Sequence, residues 1–134
     1  MANILIIGAG AMGTAFAYPC LDNKHDVSIV GTHLENDSIE ELNKKYFHKG
    51  LNLEVLKTIK FFKHESINRV FENKVDLIVL GVSSKGINWV SQELKKISKK
   101  DILPPLLMLT KGLSINGNKY ELLVDKLIRL LSEK

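Results

Sequence analysis

The chain has 134 residues and a mass of 15.1 kDa, and is 45% hydrophobic, 25% charged and 7% aromatic. That is the size and composition of one globular domain rather than a disordered or collagen-like chain. The net charge of +4 is mild and does not imply a nucleic-acid partner. Cys20 is the only cysteine, which excludes a disulfide framework or a cysteine-paired zinc site. No apolar run approaches the roughly 18 residues of a membrane-crossing helix, and no basic segment precedes the first apolar stretch as in a secretory signal. A cytoplasmic protein without a membrane partner is the expectation.

Short apolar runs alternate with amphipathic ones along the chain. Asn3–Ile7, rich in β-branched residues and ended by Gly8, reads as a buried strand. Ala11–Asp22 reads as a helix of small residues, with Pro19 predicting a kink or an early end. Asp26–Val30 is a second strand ended by Gly31, and Glu35–Lys45 has helical spacing. Thr58–Phe62 reads as a strand, Glu65–Glu72 as a short helix and Val75–Leu80 as a strong strand ended by Gly81. Ser84–Ile97 repeats apolar residues at three and four. Leu106–Thr110 is a further strand, and Lys119–Leu131 a closing amphipathic helix. Strands that alternate with helices and are apolar throughout predict an α/β fold with a parallel sheet.

The first strand runs straight into Gly8-Ala9-Gly10-Ala11-Met12-Gly13, which matches G-x-G-x-x-G. Between a strand and a helix, this pattern is a dinucleotide-binding fingerprint. Gly8 would allow the tight turn, Gly10 the approach of a pyrophosphate, and Gly13 close packing of helix on sheet. Free N–H groups at the helix start would face the anion, aided by the helix dipole. The plainer reading is a tight turn with no ligand. An acidic residue about 20 positions later commonly holds the adenosine ribose. Here the second strand ends in Val30-Gly31-Thr32-His33-Leu34-Glu35. Thr32 and His33 are candidates for a hydroxyl or a phosphate and Glu35 is a later one, so NAD and NADP both stay open.

With these residues in view, the chain resembles the N-terminal part of NAD(P)-dependent glycerol-3-phosphate dehydrogenases. Ile7-Gly8-Ala9-Gly10-Ala11-Met12-Gly13-Thr14-Ala15 is similar to the family's glycine turn. Gly31-Thr32 resembles a Trp-Gly-Thr variant, with Val30 in the tryptophan's place. Leu80-Gly81-Val82-Ser83-Ser84 resembles the loop passing over the cofactor, which brings in Ser83. Most specific is Leu107-Met108-Leu109-Thr110-Lys111-Gly112-Leu113, which resembles the family's strand ending in Thr-Lys-Gly. The glycine turn is shared more widely, with ketopantoate reductases for example.

The resemblance implies a Rossmann-like, doubly wound parallel sheet over residues 1–134, truncated before its last strand. It implies NAD or NADP as cofactor, and dihydroxyacetone phosphate and sn-glycerol 3-phosphate as the substrates of the complete enzyme. The lysine matching Lys111 contacts substrate and cofactor in that family. At a strand's carboxyl end, its ammonium can pair with a phosphate or steady a carbonyl oxygen as negative charge develops. The plain alternative is a lysine solvating a loop. The family's second, helical domain, with its general acid/base lysine, has no counterpart before Lys134. The expectation is therefore a cofactor half that is inactive by itself, and self-associates through an exposed helix stripe and sheet edge or pairs with a missing C-terminal half. A non-catalytic dinucleotide-binding module and a remnant that binds nothing are the competing readings.

The remaining features read as structural. His25, His33, His48 and His64 match no zinc spacing. His48 falls where the family often has a His-Pro, although the proline is absent. Cys20 reads as an apolar filler and Trp89 as lying at a helix margin. Lys95, Lys96, Lys99 and Lys100 suit a helix C-terminus rather than a nucleic-acid patch.

Overall fold

A computed structural model of the chain describes residues 1–99 and 102–133. Its centre is a five-stranded sheet of β1 (Asn3–Ile7), β2 (Asp26–Val30), β5 (Lys60–Phe62), β6 (Leu77–Leu80) and β7 (Leu106–Met108). The spatial order is β5-β2-β1-β6-β7, and every neighbouring pair is parallel. Side chains alternate along a strand, so β1 sends Ile4 and Ile6 to one face and Leu5 and Ile7 to the other. Both faces are covered, which explains the unbroken apolar run Ile4–Ile7 in β1.

On the first face, α1 (Ala11–Asp22) and α2 (Asn36–Lys45) bury Ala17, Cys20, Ile39 and Leu42 against Ile6, Ile29 and Val79. On the second, α3 (Ile67–Phe71), α4 (Ile87–Ser98) and α5 (Leu123–Ser132) bury Ile67, Val90, Leu94 and Leu127 against Leu5, Ile78 and Leu80. Truncating a fully buried leucine such as Leu80 to alanine would cost about 2–5 kcal/mol. The winding reverses between β1 and β6, and open α/β sheets bind their ligands outside the carboxyl ends of the strands at such a point.

Several sequence expectations are revised. Helix α1 does not end at Pro19 but runs on to Asp22, and the Pro19 carbonyl still accepts the Asn23 N–H at 3.2 Å. Two short antiparallel strands, β3 (Phe47–His48) and β4 (Leu53–Glu54), form a hairpin that the apolar pattern did not signal. The closing helix begins at Leu123, not Lys119. Lys119–Leu122 is instead β9, paired antiparallel with β8 (Leu113–Asn116). The cause is Gly117, whose φ of 62° opens a two-residue turn between Asn116 and Lys119. The face of α5 that was expected to lie open is divided: Leu123 and Leu127 are buried, while Val124 and Ile128 are exposed. Of the lysines near the end of α4, Lys96 pairs with Glu93, and Lys100 lies outside the described residues.

Candidate functional site

The glycines at the carboxyl ends of β1 and β6 are interlocked. Gly8 has φ +109°, and a Cβ built there would lie 2.7 Å from the carbonyl oxygen of Gly81. A Cβ on Gly81 would lie 2.9 Å from Cα of Gly13, and one on Gly13 would run into the carbonyl oxygen of Gly8. Backbone hydrogen bonds fix this packing: Gly8 N–H donates to Val30 O and Gly81 N–H to Ile7 O, each at 2.8 Å. Gly10 is different. A Cβ there would meet nothing within 4 Å. The turn therefore excludes side chains beneath it and leaves open space at the one glycine that caps α1.

That helix start faces outward uncapped. Gly10 supplies no side-chain hydrogen bond to α1, the first turn carries no acidic residue, and Ala11 and Met12 are exposed. Orphan N–H groups and the positive end of the helix dipole suit an anion. Across from them, Gly81, Val82, Ser83 and Ser84 follow β6, and Leu109, Thr110 and Lys111 follow β7. Together these segments enclose a cleft of about 380 Å³. Thr110 Oγ1 donates to Val82 O at 2.5 Å, which ties the two loops together and leaves Lys111 exposed at the rim.

Ala9 is held through both of its backbone groups, which belong to the two successive peptides of the turn. Its N–H donates to the Glu35 carboxylate at 3.1 Å, which also accepts the Thr32 N–H at 2.8 Å. Its carbonyl accepts from Thr14 Oγ1 at 3.3 Å and lies 2.9 Å from His48 Nε2. Because Nδ1 of His48 accepts the Leu51 N–H at 3.1 Å, Nε2 is the protonated nitrogen and the donor to Ala9. The β3–β4 hairpin thus braces the glycine turn.

Gly10, Ala11, Met12, Ser83 and Lys111 line the cleft, while Gly8, Ala9 and Gly13 are buried under the turn. Thr32 and His33 are not in the cleft but on the β2 side of the turn, joined to it through Glu35. There His33 lies against Trp89, with ring centroids 5.3 Å apart, and His64 stands 6.3 Å from the same indole. Trp89 is partly buried against the core, at the margin where its helical position put it. Burial raises the pKa of Cys20, away from thiolate chemistry, as a filler requires. Among the described residues, no group of three His, Cys, Asp or Glu is placed to hold a metal ion. Nor is any helix long and apolar enough to cross a membrane. Sequence spacing gave no sign that His48 bonds the glycine turn, because its partner Ala9 is 39 residues away.

A doubly wound parallel sheet with an open, glycine-rich helix start at its switch point is the Rossmann-like arrangement. The same fold is seen in glycerol-3-phosphate dehydrogenase from Coxiella burnetii, with a TM-score of 0.78 and 23% identity, over 98% of this chain and 38% of that one. It is also seen in a D-mandelate dehydrogenase in a ternary structure with NADH, with a TM-score of 0.65, 21% identity, and coverage of 95% and 36%. These likenesses establish the fold. The family is established by sequence: residues 3–133 match the model of the NAD-dependent glycerol-3-phosphate dehydrogenase N-terminus, and the chain belongs to that family. A glycerol-3-phosphate dehydrogenase (NAD(P)+) of Mesoplasma florum is 31% identical over 128 residues, 93% of this chain and 35% of that protein. An NADP(+)-dependent glycerol-3-phosphate dehydrogenase of Archaeoglobus fulgidus is 29% identical over 110 residues, 82% of this chain and 31% of that protein. The chain spans about a third of the length of these relatives.

Proposed function

We propose that residues 1–134 form the cofactor-binding domain of a glycerol-3-phosphate dehydrogenase and hold NAD or NADP at the glycine turn. The observation that carries the reading is Gly10, which has open space over an uncapped helix start while Gly8, Gly13 and Gly81 are locked together below it. In this reading the N–H groups of Ala11 and Met12 take the pyrophosphate, backed by Gly8, Ala9 and Gly13. Thr32 and His33 stand at the adenosine ribose, and Ser83 at the part of the cofactor that crosses the cleft.

The bound dinucleotide supplies or accepts the hydride that interconverts dihydroxyacetone phosphate and sn-glycerol 3-phosphate. Lys111 is the residue for the substrate side. Its ammonium, at the cleft rim, pairs with the substrate's oxygens and steadies the negative charge that builds on the carbonyl oxygen during reduction. These residues are the cofactor half of the reaction, and we expect no turnover from them alone, since rate needs substrate and proton donor placed together. The buried, free Cys20 suits a reducing cytoplasm. The exposed apolar side chains of the β8–β9 hairpin support self-association.

A fluorescence titration of the purified chain with NADH, and separately NADPH, tests the cofactor reading. Saturable binding that is lost in Gly10→Asp is expected. A folded chain that binds neither nucleotide would contradict it.

A further inference from the structure

The β2 side of the glycine turn holds a carboxylate. Strand β2 ends without an acid, but the chain turns back immediately: the Glu35 N–H donates to Thr32 O at 3.0 Å, and α2 starts at the next residue. This turn delivers the Glu35 carboxylate to the carboxyl end of β2 from the far side of the loop. Gly31 makes room for it, since a Cβ on Gly31 would lie 2.8 Å from Ile39 Cγ1 and 3.3 Å from Glu35 Cβ. The carboxylate then bridges the Thr32 N–H at 2.8 Å and the Ala9 N–H at 3.1 Å. Two backbone donors at the corner between β1 and β2 are thus already held by an anion.

We infer that Glu35 makes this site selective for NAD(H) over NADP(H). The inference rests on the dinucleotide reading above and adds which dinucleotide the site takes. A ribose diol can donate to a carboxylate that already accepts two N–H bonds, because a carboxylate has about four lone-pair positions. A 2′-phosphate brought to the same corner meets a like charge, and the donors that would hold it are occupied. Neither arginine stands at this corner. The only arginines are Arg69, which lines a groove with Asn3 and Asp26 at the amino ends of the strands, and Arg129, which is paired with Glu121 and Glu133. Lys63, just past β5, is paired with Glu40. His33 rests on Trp89, and His64 bonds Asn36 and Glu65.

The experiment is a set of calorimetric titrations of the purified chain with NADH and with NADPH. Wild type, Glu35→Gln and Glu35→Asp are compared, each checked for fold by circular dichroism. Wild type is expected to bind NADH at least about tenfold more tightly than NADPH, the scale of a like-charge contact. Glu35→Gln, which keeps one acceptor and loses the charge, should bring the two affinities within about threefold by weakening NADH and strengthening NADPH. Glu35→Asp keeps the charge and should keep the preference for NADH. Wild-type binding of NADPH as tight as that of NADH would overturn the inference while leaving the dinucleotide reading intact. So would a preference that Glu35→Gln leaves unchanged. A folded wild type that binds neither would defeat both.

Discussion

His48 donates from Nε2 to the carbonyl oxygen of Ala9 at 2.9 Å, so a residue on the β3–β4 hairpin sets the orientation of a peptide inside the glycine turn. Glu35 holds the preceding peptide through the Ala9 N–H, so the two peptides that flank Ala9 are each tied by a side chain. The two side chains fix the turn in the form that points the start of α1 at the cleft. Replacing His48 by alanine leaves Thr14 as the remaining side-chain donor to a buried carbonyl. The expected cost is about 1–3 kcal/mol of stability in urea denaturation. NADH affinity should fall with it, and His48→Gln, which retains a donor, should recover part of both.

The glycines separate into two kinds by substitution. In Gly81→Ala the new methyl meets the backbone of Gly13 at 2.9 Å, so strands and turn must move apart. A loss of about 1–3 kcal/mol is expected from such overpacking, read as a lowered denaturation midpoint. At Gly10 the space is open and φ is −69°, a value alanine accepts. The gain from a stiffer unfolded chain and the loss of a good N-cap residue roughly cancel, so Gly10→Ala should lie within about 0.5 kcal/mol of wild type. Its NADH binding should nevertheless weaken, because the methyl occupies the side from which the pyrophosphate approaches. Weakened binding at unchanged stability is the signature to look for.

The β8–β9 hairpin has its polarity reversed. Ser114 and Glu121 form one cross-strand pair and bond to each other, with Glu121 also held by Arg129 of α5. The pairs on the other face are Leu113 with Leu122 and Ile115 with Tyr120, and these four side chains are 53–77% exposed. An exposed apolar cluster of this kind marks a contact surface. Sedimentation of the purified chain should show concentration-dependent association, and the double variant Ile115→Lys, Leu122→Lys should sediment as a monomer. A wild type that is monomeric at all concentrations contradicts this.

Asp76 ties the start of β1 to the loop before β6. Its carboxylate accepts the Asn3 N–H at 2.9 Å and pairs with Lys74 at 3.0 Å. The Asn3 hydrogen bond, followed by the Lys74 one, lowers its pKa below the ordinary aspartate value. A carboxyl whose folded pKa is lowered adds stability that is fully present above the unfolded value of about 4 and is lost as pH falls through the folded value. Denaturation midpoints should therefore drop below about pH 4, with a shallower drop in Asp76→Asn.

Local pattern was enough for much of the architecture. Strands β1 and β2 and helix α1 have the bounds that apolar runs and terminal glycines assign them, because each is decided within a few residues. The β8–β9 hairpin was hidden because Tyr120 continues, in register, the apolar stripe of the helix that follows. The turn at Gly117 outweighs that stripe. The glycine turn was visible as a motif, but its braces were not. Glu35 and His48 act on Ala9 from 26 and 39 residues away, and spacing carries no trace of such contacts.

The most direct measurement is an amide-resolved NMR titration of the ¹⁵N-labelled chain with NADH. Binding at the start of α1 predicts the largest shifts at the amides of Gly10, Ala11, Met12 and Gly13, with smaller ones at Ser83 and Lys111 across the cleft. Saturable shifts gathered instead at the amino ends of the strands, around Arg69 and Lys60, would contradict the account. So would a folded spectrum that NADH leaves unchanged.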